Sequence, residues 1–97
     1  MKINGIVTQI LNMDNCGVPN YYYVEIKTQY NEHKYFSVHE SDIKDLYVDL
    51  EVVIYNFMDR KVVIVSPDNF YNHVKIVAFK LDFFNKKDFA YITEREH

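Results

Sequence analysis

The chain has few of the residues that cross-link a fold or divide it into many turns. Its 97 residues include one cysteine, two glycines, two prolines and no tryptophan. With Cys16 alone no internal disulfide can form, so we expect a reducing compartment. So little Gly and Pro predicts few tight turns and little linker, and we expect a single domain over residues 1–97.

Long hydrophobic runs and a strong charge of one sign are also missing. No apolar stretch approaches the ~18 residues of a membrane-spanning helix, and the first residues lack the pattern of a signal peptide. We therefore expect a cytoplasmic protein with no membrane partner. The net charge of −3 argues against a basic nucleic-acid footprint across the whole domain.

The hydrophobic residues that are present favour β structure. The sequence holds 21 Val or Ile residues but only six Leu or Ala, together with nine Tyr and seven Phe. Branched and aromatic side chains suit a pleated sheet, whereas Leu and Ala are the better helix formers. A helical bundle is therefore excluded, and we expect a mainly β protein.

Alternation of apolar and polar residues predicts five strands in the first two thirds of the chain. They cover residues 2–12, 21–28, 34–39, 50–57 and 61–66. The pattern in the first strand changes register near Gly5, which predicts a bend or bulge over residues 5–7. Residues 41–46 predict one helical turn that Ser41 would cap, and the apolar run 62–65 predicts a strand buried on both faces.

The last third of the chain carries two conflicting periods. Alternation over residues 77–84, followed by a turn and residues 89–93, predicts a β-hairpin. Ser66-Pro67 is a good helix start, and apolar residues follow at helical spacing, so a C-terminal helix is the alternative. We favour the hairpin within residues 67–93, and we expect a frayed tail over residues 94–97.

This order of elements resembles the small five-stranded β-barrels of the OB and SH3-like type. The resemblance is carried by Ile-Asn-Gly-Ile-Val-Thr-Gln-Ile over residues 3–10 and by Asp-Leu-Tyr-Val-Asp-Leu-Glu-Val-Val-Ile over residues 45–54. Such barrels often open the fourth strand with Gly-Asp, where this chain has Asp49 and Leu50. The resemblance implies a barrel over residues 2–66, with the C-terminal hairpin or helix as an addition to it.

No motif in the sequence points to catalysis. The four His and the single Cys lie in no recognisable nucleophile, zinc or glycine-rich phosphate pattern. We therefore expect a protein that is not an enzyme and that needs neither cofactor nor metal.

Aromatic residues concentrate in the second and third strands, which form the ligand face in the barrels that this chain resembles. Rings on that face stack on unpaired bases, and nearby lysines neutralise phosphates. The candidate binding surface, for a protein or for nucleic acid, consists of Tyr21, Tyr22, Tyr23, Tyr30, Tyr35, Lys27 and Lys34. Two acidic residues of the same hairpin, Glu25 and Glu32, partly cancel the lysines.

Tyrosines with few cations favour a protein partner, because Tyr buries a large area with little entropy loss. Two further surfaces are candidates. An acidic rim that could steer toward a basic partner consists of Glu40, Asp42, Asp45 and Asp49. An oligomer face, for a homodimer, consists of Phe79, Phe83, Phe89 and Tyr91.

The sequence thus predicts a small non-enzymatic binding protein that inhibits or adapts another protein. The excess of Lys, Asn, Ile, Tyr and Phe over Gly, Ala, Arg and Pro indicates an AT-rich genome. With the small size, this bias is typical of an accessory protein of a phage or mobile element, acting in the host cytoplasm on a defence or replication protein. The alternative is an OB-like protein that binds single-stranded nucleic acid.

Overall fold

Six antiparallel strands form a closed barrel, with one short helix between the third and fourth strands. The structure is a computed structural model that describes residues 2–12, 20–66 and 75–81. Its elements are β1 Lys2–Asn12, β2 Tyr21–Thr28, β3 His33–His39, α1 Glu40–Ile43, β4 Glu51–Tyr55, β5 Lys61–Val65 and β6 Lys75–Lys80. The strands follow one another around the barrel as β1-β2-β3-β6-β5-β4, and β4 pairs with β1 to close it.

The core fills the barrel interior with one side-chain row from each strand. Alternation sends every second residue inward, as the strand period of two requires. The buried hydrophobic residues are Ile3, Val7, Val24, Ile26, Phe36, Val38, Leu46, Leu50, Val52, Ile54, Val62, Ile64, Ile76 and Ala78. Burial of this apolar surface is the main source of stability, at about 25 cal/mol per Å².

The first strand bends so that it can pair on both sides. It pairs with β4 from Lys2↔Tyr55 to Ile6↔Glu51 and with β2 along most of its length. Its register against β2 shifts between Val7 and Gln9, so the irregularity lies just beyond the predicted residues 5–7. Gly5 has a different role, since its missing side chain lets β1 approach β2 closely.

The expected five-stranded barrel is wrong in strand number, because residues 75–80 supply a sixth strand. β6 pairs with β5 over Lys61↔Phe79 to Val65↔Lys75 and with β3 over Phe36↔Lys80 and Ser37↔Phe79. These residues are therefore part of the barrel wall, and the alternative of a helix here is wrong. Ile76 and Ala78 point inward, so the strand period outweighs the helical one. The second arm of the predicted hairpin, residues 89–93, lies outside the described residues.

The helical turn after β3 is confirmed, with its start moved by one residue. Residues Glu40–Ile43 form α1, and the cap is His39, whose side chain accepts a hydrogen bond from the backbone N–H of Ser41. The predicted cap, Ser41, instead lies inside the helix. Shortly after this turn, the Leu46 side chain is buried in the core.

One further expectation changes in the fifth strand. The run 62–65 was expected to be buried on both faces, but only Val62 and Ile64 are buried, and the outward Val63 and Val65 are half-buried. Their apolar character is therefore a property of the outer surface. Among the described residues no helix is long and apolar enough to cross a membrane.

Candidate binding surfaces

Three tyrosines occupy the outer face of β2 and β3. In β2 the buried hydrophobic residues are Val24 and Ile26. Tyr21 and Tyr23 occupy the alternate positions of the strand and therefore point outward. On β3 the buried Phe36 is followed by the outward Ser37 and preceded by the outward Tyr35. We call Tyr21, Tyr23 and Tyr35 the tyrosine face. All three side chains are half-buried.

The remaining members of the predicted binding surface are elsewhere. Tyr22 and Lys34 belong to the inward rows of their strands, opposite Val38 and Ile26 respectively. Tyr30 is exposed in the turn between the strands. Lys27 is exposed at the end of β2 that is farthest from Tyr21, next to His33. The sequence placed these residues in one set, and the structure divides them among three locations.

A carboxylate lies in the middle of the outer face beside the tyrosines. Glu25 Oε1 accepts a hydrogen bond from Thr8 Oγ1 at 2.6 Å and lies 3.2 Å from His33 Nδ1. Tyr35, which faces Glu25 across the ladder, also donates to this carboxylate. The Glu25 side chain is 16% exposed. These bonds hold the Tyr35 ring and the Thr8 side chain in place.

The same bonds set the charge of this site. Burial alone would raise the pKa of the Glu25 carboxyl group, but the hydrogen bonds it accepts outweigh burial and lower the pKa. Glu25 is therefore ionised at neutral pH. Burial and the Glu25 carboxylate together raise the pKa of Tyr35 to about 12, so Tyr35 remains a neutral donor.

Thr8 and Glu25 have the spacing of a hydroxyl and a general base, but the lowered pKa of the carboxyl group makes it a weak base. Thr8 donates its hydroxyl hydrogen to the carboxylate and to the Glu25 carbonyl oxygen, and the imidazole of His33 contacts the carboxylate as well. A hydroxyl group becomes a nucleophile when a base takes its proton. A carboxylate with a lowered pKa binds that proton weakly, and the hydrogen bond acceptor of Thr8 is such a carboxylate. The network orders the tyrosine face.

A contact between two rings fixes the Tyr21 end of the tyrosine face. Tyr21 lies edge-on to His39, with ring centroids 5.2 Å apart and planes at 87°. His39 is itself held by Ser41, whose hydroxyl oxygen lies 2.9 Å from His39 Nδ1. His39 Nδ1 also accepts a hydrogen bond from the backbone N–H of Ser41. The same orientation of the His39 ring therefore caps α1 and contacts Tyr21.

The predicted acidic rim lies on the segment that connects β3 to β4. Glu40 and Asp49 are exposed, and Asp42 and Asp45 are half-buried. Glu40 donates its backbone N–H to Asn20 O beside β2, whereas Asp49 donates to Val7 O on β1. The rim therefore extends from the end of β3 to the middle of β1. Within residues 2–12, 20–66 and 75–81, no three His, Cys, Asp or Glu side chains come together as a metal site.

An apolar surface on the other side of the barrel was not predicted from the sequence. The outward apolar side chains of β4, β5 and β6 form what we call the valine stripe: Val53, Tyr55, Val63, Val65, Val77 and Phe79. Phe79 was predicted in the oligomer face and is 45% exposed. One sign of this surface was present in the sequence of β5, where the run 62–65 places apolar residues on the outer face as well as on the inner one. The other predicted members, Phe83, Phe89 and Tyr91, lie outside the described residues.

An open cleft of about 550 Å³ lies where β1 meets β2 and β4. Its wall includes Ile6, with Lys27 opposite it on β2 and Glu51 opposite it on β4. The two charges lie on either side of an apolar centre. The cleft is shallow and solvent-facing, and none of its described side chains is a buried polar group without a partner.

Comparison of the chain with protein-family models, with curated proteins and with solved structures found no match. Function therefore has to be inferred from the chain's own surfaces.

Proposed function

We propose that this chain is a small non-enzymatic binding protein that recognises another protein with its tyrosine face. The observation that supports this is the position of Tyr21, Tyr23 and Tyr35 on adjacent outward positions of two paired strands. Tyr is enriched in protein interfaces because its ring buries a large area and its hydroxyl group still finds a polar partner.

Two of the three rings, Tyr21 and Tyr35, are already held in place before a partner binds. The Glu25 carboxylate holds Tyr35, and the edge-on contact with His39 holds Tyr21. Side chains that are fixed in advance lose less entropy on binding, at about 0.5–1.5 kcal/mol for each one that need not be immobilised. A rigid strand pair with ordered aromatic side chains thus suits recognition of a folded partner surface.

The charges around the face favour a protein over single-stranded nucleic acid. The ionised Glu25 lies among the rings, where it would repel a phosphate backbone. Lys34 belongs to the inward row, and its Nζ lies 3.4 Å from Glu32 Oε2. Of the two predicted phosphate-binding lysines, only Lys27 is on the outer face, and it is at the far end.

The biological setting that we propose is an accessory role. The small size and the codon bias toward an AT-rich genome favour a phage or mobile-element protein that inhibits or adapts a host protein. Binding without chemistry suits such a role, because a stoichiometric inhibitor needs only a stable interface.

The test compares a tyrosine-face variant with a matched tyrosine variant elsewhere. Tyr21→Ser/Tyr23→Ser removes two rings from the face, and Tyr30→Ser removes an exposed ring from the turn. Each protein is used for capture from lysate of a low-GC bacterium, and each is titrated by fluorescence anisotropy with a labelled single-stranded oligonucleotide at low and moderate salt.

A stoichiometric protein that wild type and Tyr30→Ser capture, but that the double variant does not, supports the proposal. Oligonucleotide binding at low salt that the double variant abolishes supports the nucleic-acid alternative instead. No captured protein in any sample, together with no oligonucleotide binding, contradicts both. Circular dichroism on all three proteins confirms that the fold is retained.

A further inference from the structure

The valine stripe is an apolar surface in the middle of a barrel wall. Tyr55, Val63 and Val77 lie side by side on three neighbouring strands, and Val53 and Val65 form the next row. Tyr55 is 41% exposed and Val77 39%. Outward positions of a sheet that faces water are normally polar, so a contiguous apolar set indicates a contact surface.

Lysines border this stripe on three sides. Lys2 is paired with Tyr55, Lys61 with Phe79, and Lys75 with Val65, so each lies directly next to a stripe residue. All three are exposed, and the structure gives none of them an ion pair among the described residues. The nearby acidic residues are Glu51, two positions along β4 from Val53, and Asp59 in the turn before β5.

This border makes a symmetric contact between two stripes unfavourable. A twofold dimer through the stripe would bring the lysines of one copy toward those of the other, and like charges at an interface cost free energy. The stripe instead suits a surface that has apolar residues at its centre and carboxylates around them.

The same chain has such a surface from α1 to the first residue of β4. We call residues 40–51 the acidic segment, which contains five carboxylates and one lysine: Glu40, Asp42, Asp45, Asp49, Glu51 and Lys44. At its tip Tyr47 is 60% exposed and Val48 48% exposed. The described residues supply no ion pair to any of these carboxylates.

The tip is held rigidly although its two apolar side chains face solvent. Leu46 and Leu50 on either side of it are buried in the core. Leu50 donates its backbone N–H to Tyr47 O at 3.1 Å, and Asp49 donates to Val7 O at 2.7 Å. Asp49 has a φ of 77°, a left-handed conformation that Asp tolerates better than most residues. An exposed Tyr47 on an ordered backbone has the character of an interface anchor, and Val48 extends its apolar surface.

We propose that the chain associates with itself head to tail, with Tyr47 and Val48 of one copy packing on the valine stripe of the next. The carboxylates around the tip would then meet the lysines around the stripe. Because the two surfaces differ, the contact is heterologous and forms either a ring or an open chain. The contact does not use the tyrosine face and is therefore independent of the function proposed for it.

The test is sedimentation velocity over a range of concentrations, on wild type and two charge-reversed variants. Lys61→Glu/Lys75→Glu makes the stripe border acidic, and Glu40→Lys/Asp45→Lys makes the acidic segment basic. We expect wild type to self-associate, more strongly at low salt, and each variant alone to associate about tenfold more weakly or not at all. An equimolar mixture of the two variants should associate again, because the unchanged segment of one meets the unchanged stripe of the other.

Two control variants separate this contact from a general effect of charge on association. Lys27→Glu reverses an exposed lysine away from the stripe and should self-associate as wild type does. Tyr47→Ser/Val48→Ser removes the apolar tip without changing charge, and it should weaken association as the reversals do. Circular dichroism and thermal unfolding check that each variant is folded.

Three results would overturn the proposal. One is a wild-type protein that is monomeric at every concentration, as it would be if another part of the same chain covered the stripe. Another is association that the acidic-segment variant retains, which would indicate a stripe-to-stripe dimer. The third is a mixture of the two variants that remains monomeric.

Discussion

Gly5 is the residue at which the barrel leaves no room for a side chain. A Cβ atom on Gly5 would lie 2.5 Å from Ile26 Cγ2 and 3.0 Å from the carbonyl oxygen of Lys27. The second of these atoms belongs to the backbone of β2 and cannot rotate away. Close approach of β1 and β2 therefore depends on glycine at this position.

We expect Gly5→Ala to lower the free energy of unfolding by about 1–3 kcal/mol, the usual cost of overpacking a filled interior. Urea denaturation followed by circular dichroism measures the change. The matched control is Asn4→Ala, at the exposed neighbouring position, which should change stability by less than about 0.5 kcal/mol. Equal stability of Gly5→Ala and wild type would show that the strands can separate slightly at no cost.

Glu25 links stability to pH through its hydrogen bonds. Because its pKa is lower in the folded protein than in the unfolded chain, ionised Glu25 favours folding. This contribution is fully present above the ordinary carboxyl pKa of 4.5 and disappears as the pH falls through the lowered folded value. Acid should therefore remove it.

We expect Glu25→Gln to destabilise the protein by about 1 kcal/mol at pH 7, because the neutral amide accepts weaker hydrogen bonds. The difference from wild type should begin to shrink as the pH falls below 4.5, and it should vanish below the lowered folded pKa, where Glu25 of folded wild type is neutral as well. Urea midpoints at a series of pH values measure it. Glu32→Gln, which removes only the exposed contact with Lys34, is the control and should show little difference at any pH. A Glu25→Gln difference that does not vary with pH would contradict the assignment.

At the scale of elements, β6 decides how the barrel closes. It lies between β3 and β5, and its Lys80 fastens it to the turn after β4. Lys80 Nζ donates to the carbonyl oxygen of Phe57 at 2.6 Å and lies 4.7 Å from the centre of the Phe57 ring. A strand with inward residues at the barrel centre contributes to the core as much as its neighbours do.

Alanine substitutions at consecutive positions test this placement. We expect Ile76→Ala to cost about 2–5 kcal/mol because it leaves a cavity in the barrel core. Val77→Ala, on the outer face, should cost less than about 0.5 kcal/mol at a protein concentration low enough to keep the chain monomeric. Thermal unfolding of the two variants is the measurement. Similar losses at both positions would contradict the alternation in β6.

The sequence predicted the elements better than it predicted their connections. Alternation located β2 at its observed bounds and assigned Val24 and Ile26 to one face, because each position there is clearly apolar or polar. For β6 it favoured a strand but left a helix open, because Val74, Val77 and Leu81 also fit a helical period. The pairing of β6 with β3 joins Phe36 to Lys80 and Ser37 to Phe79, which are far apart in the chain, and nothing local encodes it.

The candidate surfaces show the same limit. The outward direction of Tyr21 and Tyr23 follows from their alternation with the apolar Val24. The β2 part of the tyrosine face was therefore predictable from the sequence. The valine stripe was not, because its members come from three strands and become neighbours only when the register is known. Clustering by sequence position also grouped Lys34 with the outer tyrosines, although one step along a strand reverses the direction of a side chain.

For the whole molecule, the shortest ladder among the described residues joins β3 and β6, and we call it the seam. β1 and β2 pair over most of their length, whereas the pairs between described residues of β3 and β6 are only Phe36↔Lys80 and Ser37↔Phe79. A closed barrel protects its ladder bonds only as long as every seam is closed. Partial opening should therefore begin where the fewest bonds have to break, and free energies of local opening differ across a structure for this reason.

Native-state hydrogen exchange by NMR measures this order of opening. We expect the Leu81 amide, which donates to Tyr35 O across the seam, to exchange at a lower free energy of opening than the ladder amides of Val24 and Ile26. The Lys80 amide, which donates to Arg60 O on the other side of β6, is the internal comparison: it should be protected more than Leu81 if the seam opens while β6 remains on β5. If these amides all exchange at the free energy of global unfolding, the barrel opens only as a unit, and the short seam is not its weak point.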